Sequence, residues 1–156
     1  MLIAVVSDTH GAKNAIRRVK KAIANADVLI HLGDNIADLK YIKEDFKGEV
    51  YGVNGNCDFT SNFPIEQIVE IEGKRFFITH GHKYGVKYDI STIFYKGKEL
   101  GVDAVLFGHT HVKVIDQEEG VWIINPGSTS LPKDRSESMA FIEIKNNSIY
   151  AYTKDL

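Results

Sequence analysis

Five stretches of the chain share one pattern: a largely apolar run passes directly into Asp, Asn or His beside a glycine. Leu2–Val6 is nearly continuous in apolar residues, the mark of a strand buried on both faces, and enters Ser7-Asp8-Thr9-His10-Gly11. Residues 28–32 repeat the pattern and close with Gly33-Asp34-Asn35, and residues 49–53 run into Asn54-Gly55-Asn56-Cys57-Asp58. Lys74–Thr79 ends in His80-Gly81-His82, and residues 102–106 end in Phe107-Gly108-His109-Thr110-His111. Helical spacing separates several of these runs. Ala12, Ala15, Ile16, Val19, Ile23 and Ala26 predict a first helix, and Ile36, Leu39, Ile42 and Phe46 predict a second, ended by Gly48. Val86, Ile90, Ile93, Phe94 and Leu100 predict a third, stopped near Gly101. Strand alternating with helix in the first third of the chain means parallel pairing and an α/β fold.

The remaining strands predict hairpins. Residues 65–71 and 74–79 flank Glu72-Gly73, residues 112–117 and 121–124 flank Glu118-Glu119-Gly120, and residues 139–144 and 148–153 flank Asn146-Asn147. Asn54-Gly55 is also a hairpin signal, but residues 56–62 are too polar to supply the return strand. Residues 129–137 have no apolar period and read as a loop. A chain of 156 residues can bury a core without disulfide or zinc staples, so residues 1–156 are read as a single domain. Charged residues make up 26% and the formal net charge is −2, which removes the electrostatic footprint of a dedicated nucleic-acid or membrane binder. Arg17, Arg18, Lys20 and Lys21 read as a solvated helix face. The single cysteine, Cys57, forbids an intrachain disulfide, and the apolar start is too short for a signal peptide. A cytoplasmic protein is expected.

The chemistry lies in the strand ends. In open α/β sheets, sites form at the carboxyl ends of strands, so five such ends can converge on one crevice. His109 and His111, two residues apart, can aim both imidazoles into one hollow if the backbone leaves extended geometry, a departure that Gly108 permits. Imidazole, carboxylate and one amide make a mixed nitrogen and oxygen donor set suited to Mn²⁺, Fe²⁺, Zn²⁺, Co²⁺ or Ni²⁺ rather than Ca²⁺, and the lack of thiolates argues against a structural zinc. Helix capping explains Asp8, Asp34 or the histidines one at a time, but not their joint occurrence. His31, inside an apolar strand, reads as a hydrogen-bonded core histidine rather than a ligand. Trp122 and the aromatic residues around Phe94 read as core.

The motifs Ser-Asp-Thr-His, Gly-Asp, Gly-Asn-Cys-Asp, Thr-His-Gly-His and Gly-His-Thr-His, in this order, resemble the calcineurin-like metallophosphoesterase superfamily and its small YfcE-type phosphodiesterase branch. That branch includes a metal-poor relative used as a retromer coat subunit. The similarity runs from Ser7 through Asn125-Pro126-Gly127-Ser128. It implies an α-β-β-α sandwich of two mixed sheets flanked by helices. It implies two divalent ions, Mn²⁺ first with Ni, Fe, Co or Zn as alternatives: one on Asp8, His10 and His111, the other on Asn56, His80 and His109, with Asp34 bridging. Ions ~3.5–4 Å apart need such an anionic bridge, and a hydroxide held between them would attack phosphorus in line.

One departure bears on the chemistry. Many relatives place a histidine after the asparagine of the third motif, where this chain has Cys57. A thiol with a pKa near ~8.5 is a poor acid for an alkoxide leaving group. The substitution favours diesters with good leaving groups, or makes His82 or Asp58 the acid. Cys57 itself reads as a small, partly buried filler rather than a nucleophile. The candidate catalytic residues are therefore Asp34, Asn56, His82 and Cys57. Asn125-Pro126-Gly127-Ser128 reads as a turn, with a phosphate-facing role open to Ser128. The expected function is a dinuclear-metal phosphodiesterase on a small phosphodiester, without strong nucleic-acid binding or a membrane partner. A protein-interaction scaffold on the same fold, and a nuclease acting on short or cyclic oligonucleotides, are the competing readings. The sequence leaves the oligomeric state open.

Overall fold

Two five-stranded sheets face one another across a shared core. The computed structural model describes residues 1–59 and 62–156. In chain order the elements are β1 (Leu2–Val6), α1 (Lys13–Ala22), β2 (Val28–His31), a 3₁₀ turn (Ile36–Asp38) leading into α2 (Leu39–Ile42), and β3 (Glu49–Gly52). There follow β4 (Glu66–Ile71), β5 (Lys74–Thr79), a 3₁₀ turn (His82–Tyr84), α3 (Ser91–Leu100) and β6 (Ala104–Leu106). The hairpins β7 (Lys113–Glu118) with β8 (Val121–Pro126) and β9 (Ser138–Lys145) with β10 (Ser148–Asp155) complete the chain. One sheet has the order β10-β9-β1-β2-β3 and the other β4-β5-β6-β8-β7.

The apolar runs are explained by period two within a two-sided layer. Ile3 and Val5 of β1 face the second sheet and pack with Ile30, Phe76, Ile78, Leu106 and Ile142. Ala4 and Val6 face the other way, onto Ile16, Val19, Ile23 and Leu39. On the outer face of the second sheet, Phe77, Val105 and Ile123 pack against Ile93 and Phe94 of α3. The layers are therefore helix, sheet, sheet, helix, with parallel and antiparallel pairs in each sheet. Because β1, β2 and β3 run parallel, as do β5, β6 and β8, the loops leaving them open on the same edge of the sandwich.

The structure corrects several local expectations. The second helix stops at Ile42, not at Gly48; residues 43–48 turn the chain back so that Glu49 can donate its N–H to Asp27 O at 3.1 Å. Phe46 still packs on the same core from this turn. The third helix starts at Ser91, not Val86, because the Asp89 carboxylate accepts the Ser91 N–H at 2.9 Å and ends the preceding turn. Tyr95, beside Phe94, is 66% exposed and no part of the core, whereas Trp122 is half-buried against it. Asn54-Gly55 starts no hairpin, as the polar residues after it predict, and Asn54 N–H bonds Pro64 O at 2.8 Å. Thr60 and Ser61, within the polar stretch 56–62, lie outside the described residues. Among the described residues, no helix is long and apolar enough to cross a membrane.

Candidate metal centre

The turns at the shared edge bend sharply. Asp8, His10, Asp34, His109 and His111 all have positive φ, between 47° and 67°. Such values are uncommon for residues with side chains and persist where surrounding structure enforces them. The departure from extended geometry is taken by His109 and His111 themselves, not by Gly108 as the sequence suggested. Gly108 serves a close approach: a Cβ there would lie 2.0 Å from Ser7 Oγ and 3.0 Å from Asp8 Oδ2. Gly55 does the same on the other side, where a Cβ would meet Asp34 Oδ1 at 2.1 Å.

These bends gather two groups of donors. Asp8, His10, Asp34 and His111 form one, and Asp34, His80 and His109 the other, with the donor atoms of each group within 4.8 Å of one another. Asp34 belongs to both. Its Oδ1 lies 3.3 Å from His80 Nε2 and its Oδ2 lies 3.9 Å from His10 Nε2. Asp8 Oδ1 lies 3.1 Å from His111 Nε2 and 3.9 Å from both His10 Nε2 and His80 Nε2. Asn56, the remaining ligand candidate, is exposed, and its amide donates to Cys57 Sγ at 3.5 Å.

The donor atoms suit cations. Backbone carbonyls fix two ring orientations, since His80 Nδ1 donates to Leu32 O at 2.7 Å and His111 Nδ1 donates to Leu131 O at 2.6 Å. Each ring then turns its Nε2 lone pair inward, the arrangement typical of metal-ligating histidines. His10 Nε2 sits 3.4 Å from His111 Nε2, and His109 Nδ1 sits 3.2 Å from His80 Nε2. Asp8 Oδ1 is buried without a hydrogen-bond partner. Lone pairs crowded around a buried carboxylate are costly unless positive charge lies among them.

The electrostatics agree. Burial opposes ionisation of Asp8 and Asp34, yet the neighbouring His111 and His80 respectively hold both carboxyls below the usual range. Burial also opposes a charge on His80, but Asp34 and Asp8 raise its pKa, and the adjacent Asp8 carboxylate raises that of His111. His109 goes the other way, lowered to about 4 by burial and by its neighbours His80 and Lys87.

Around this cluster the candidates separate. His82 opens the 3₁₀ turn with its ring centre 5.5 Å from that of His80 and 6.1 Å from that of His109, and burial lowers its pKa. Asp58 does not face the cluster as an acid would. Its Oδ2 accepts the N–H groups of Asp34 and Gly55 at 2.9 and 2.8 Å, and its Oδ1 those of Asn35 and Ile36, each at 2.9 Å. Both oxygens are spent on tying the Asp34 turn to the Asn56 turn. Cys57 is exposed rather than a partly buried filler. Its backbone N–H donates to Asp34 Oδ1 at 3.0 Å, while desolvation and then the Asp34 charge push its thiol pKa up. Ser128 is fully buried; its Oγ donates to Asp8 O at 2.8 Å and accepts the N–H of Leu131 at 2.9 Å. A phosphate-facing role for it is thereby overturned.

His31 behaves as its apolar strand suggests. Its Nδ1 accepts the Gly33 N–H at 3.1 Å, so Nε2 carries the proton and donates to Thr9 Oγ1 at 3.2 Å. Thr9 in turn donates to Asp38 Oδ2 at 2.6 Å, which also accepts the Gly11 N–H at 2.8 Å. Burial holds the His31 pKa down at about 4. The sequence pattern gives Thr9 and Asp38 no role and makes Asn125 only a turn residue, whereas the Asn125 amide donates to Gly108 O at 2.9 Å. Only Asp38 left a signal there: a carboxylate set among the apolar positions Ile36, Leu39 and Ile42.

The profile of the calcineurin-like phosphoesterase superfamily domain matches residues 1–147. The chain belongs to the calcineurin-like phosphoesterase superfamily. Among the metallophosphoesterases it resembles is the probable metallophosphoesterase YsnB of Bacillus subtilis, 33% identical over 150 residues, covering 94% of this chain and 86% of that protein. The phosphodiesterase YfcE of Escherichia coli K12 is 31% identical over 157 residues, covering 85% of this chain and 82% of YfcE. The fold is shared with zinc-bound Vps29 of Entamoeba histolytica, at a TM-score of 0.77 and 21% identity over 99% of each chain. Membership in a metallophosphoesterase family suggests hydrolase activity, and the Asp and His donors are candidate ligands for divalent ions.

Proposed function

We propose that the protein is a dinuclear-metal phosphodiesterase acting on a small phosphodiester. The observation that carries this reading is the sharing of Asp34 between two donor groups. One ion would be held by Asp8, His10, His111 and Asp34, the second by Asp34, His80, His109 and the exposed Asn56. When bound, such a pair supplies an activated water and neutralises charge on the phosphoryl oxygens.

The chain's own part is positioning. Asp58 holds the Asp34 backbone and the Cys57 N–H its carboxylate, and the Leu32 and Leu131 carbonyls hold the His80 and His111 rings. His82 stands at the rim beside His80 and His109, in place to meet a leaving oxygen. With Asp58 occupied and Cys57 a weak acid, diesters with good leaving groups are the preferred substrates. Mn²⁺ is the ion proposed first and the cytoplasm the proposed location. A scaffold role is second, and the full set of donors counts against it. A nuclease is third, against a net charge of −2.

The test is hydrolysis of bis(p-nitrophenyl) phosphate by chelator-treated protein with Mn²⁺ or Ni²⁺ restored, beside p-nitrophenyl phosphate. Metal-dependent turnover of the diester with little on the monoester is expected. Bound ions without turnover of either ester would transfer support to the scaffold reading.

A further inference from the structure

Beside the donor cluster lies a hollow of about 410 Å³, lined by Asn35, Ile36, Cys57, Phe59, Asn62 and Phe63 among others. Its volume falls within the ~300–1,000 Å³ usual for small-ligand sites. Two of its walls are continuous with the cluster. Asn35 directly follows Asp34, and the Cys57 N–H bonds Asp34 Oδ1 at 3.0 Å. A group seated in the hollow is therefore next to whatever Asp34 helps to hold.

The lining chemistry is selective. Ile36 is buried, Phe63 is partly buried, and Phe59 is 90% exposed, so two phenyl rings and an aliphatic side chain offer apolar contact. Asn35 and Asn62 add amides able to donate to, and accept from, the edge of a heterocycle. Asp58 also lines the space, but both of its oxygens already accept backbone N–H groups. Among the described residues no lysine or arginine lines the hollow. Among the described residues a phosphate finds no cationic partner in this hollow, while a flat uncharged ring finds apolar faces and amides.

We infer that this hollow receives a nucleobase carried on one arm of the phosphodiester, with Phe59 supplying a stacking face. The inference rests on the phosphodiesterase reading for its catalytic meaning and sharpens the substrate class to small nucleotide diesters. Aromatic side chains contribute ~1–3 kcal/mol per stacked base, which corresponds to about 5- to 150-fold in affinity.

The test compares adenosine 5′-monophosphate with ribose 5-phosphate, which lacks the base, as competitive inhibitors of bis(p-nitrophenyl) phosphate hydrolysis by the Mn²⁺-loaded full chain. The nucleotide is expected to bind about tenfold tighter or better, and Phe59→Ala to remove most of that advantage while shifting ribose 5-phosphate little. Phe59 is so exposed that the variant keeps its fold, which its melting curve checks. Equal inhibition by the two compounds, or equal weakening of both by Phe59→Ala, overturns the inference. If the diester is not turned over at all, the phosphodiesterase reading fails alone. Calorimetric titration with the same two compounds then decides the hollow, a preference for the nucleotide supporting it and no preference overturning it.

Discussion

Asp58→Asn isolates the device that holds the bridging carboxylate. The native side chain accepts four backbone N–H groups, from Asp34, Asn35, Ile36 and Gly55, at 2.8 to 2.9 Å. An amide keeps one accepting oxygen and turns an NH₂ toward the other pair, so two N–H donors lose their partner. Hydrogen bonds to a charged group are worth ~1.5–3 kcal/mol each, giving a loss of roughly 3–6 kcal/mol before relaxation and about 3 kcal/mol after it. The ligand shell should loosen as well, because the Asp34 and Gly55 N–H groups share one oxygen. Removal of such supporting contacts typically lowers metal affinity about 10- to 100-fold. Urea unfolding of the metal-free protein measures the first effect and calorimetric Mn²⁺ titration the second. Ile144→Ala is the control: it lies at the opposite end of the sandwich, paired through β9 to the start of β1, and costs a similar ~2–5 kcal/mol without touching the cluster. Wild-type Mn²⁺ affinity in Asp58→Asn despite a stability loss matching the control would refute the reasoning.

Other expectations follow from the same geometry. Asp34→Asn should abolish metal-dependent diester turnover with the circular dichroism spectrum unchanged; a folded, metal-loaded variant turning over at the wild-type rate removes Asp34 from the bridge. Ser128→Ala should cost about 2 kcal/mol, because the Oγ bonds to Asp8 O, Ser130 and Leu131 are all buried or half-buried, and should weaken Mn²⁺ binding through the Leu131 carbonyl that orients His111. A raised KM with unchanged stability would instead restore a substrate contact for Ser128. His31 is buried neutral, its pKa lowered from 6.5 to about 4. Between those values the unfolded chain binds a proton that the folded chain does not, so stability should fall as pH drops from about 6.5 to about 4, by up to ~3 kcal/mol. Urea midpoints at pH 7 and pH 5 should differ less in His31→Gln than in the wild-type protein; an equal difference in both contradicts the assignment.

Much of the architecture was legible because burial on both faces writes itself as continuous apolar runs, and Leu2–Val6 is the plain case. The strand ends were legible for the same reason: charged and imidazole side chains directly after a buried strand have few other uses. What escaped the sequence were roles set by hydrogen bonds between distant turns. Asp58 looked like a free carboxylate until its four backbone partners, three of them 22 to 24 residues away, were in view. Ser128 looked available to a phosphate because nothing in Asn125-Pro126-Gly127-Ser128 announces a bond to Asp8 O, 120 residues distant. The second and third helices came out shorter than their apolar spacing because Phe46 and Val86 pack into the core from turns, which satisfy the period without being helical.

The most direct measurement is a stepwise Mn²⁺ titration of chelator-treated protein in which bound metal and bis(p-nitrophenyl) phosphate hydrolysis are read at every point. With two donor groups sharing Asp34, hydrolysis should appear only as the second equivalent binds, and Asp34→Asn should bind weakly and stay inactive. Full activity at one equivalent, or none at two, would contradict the dinuclear account.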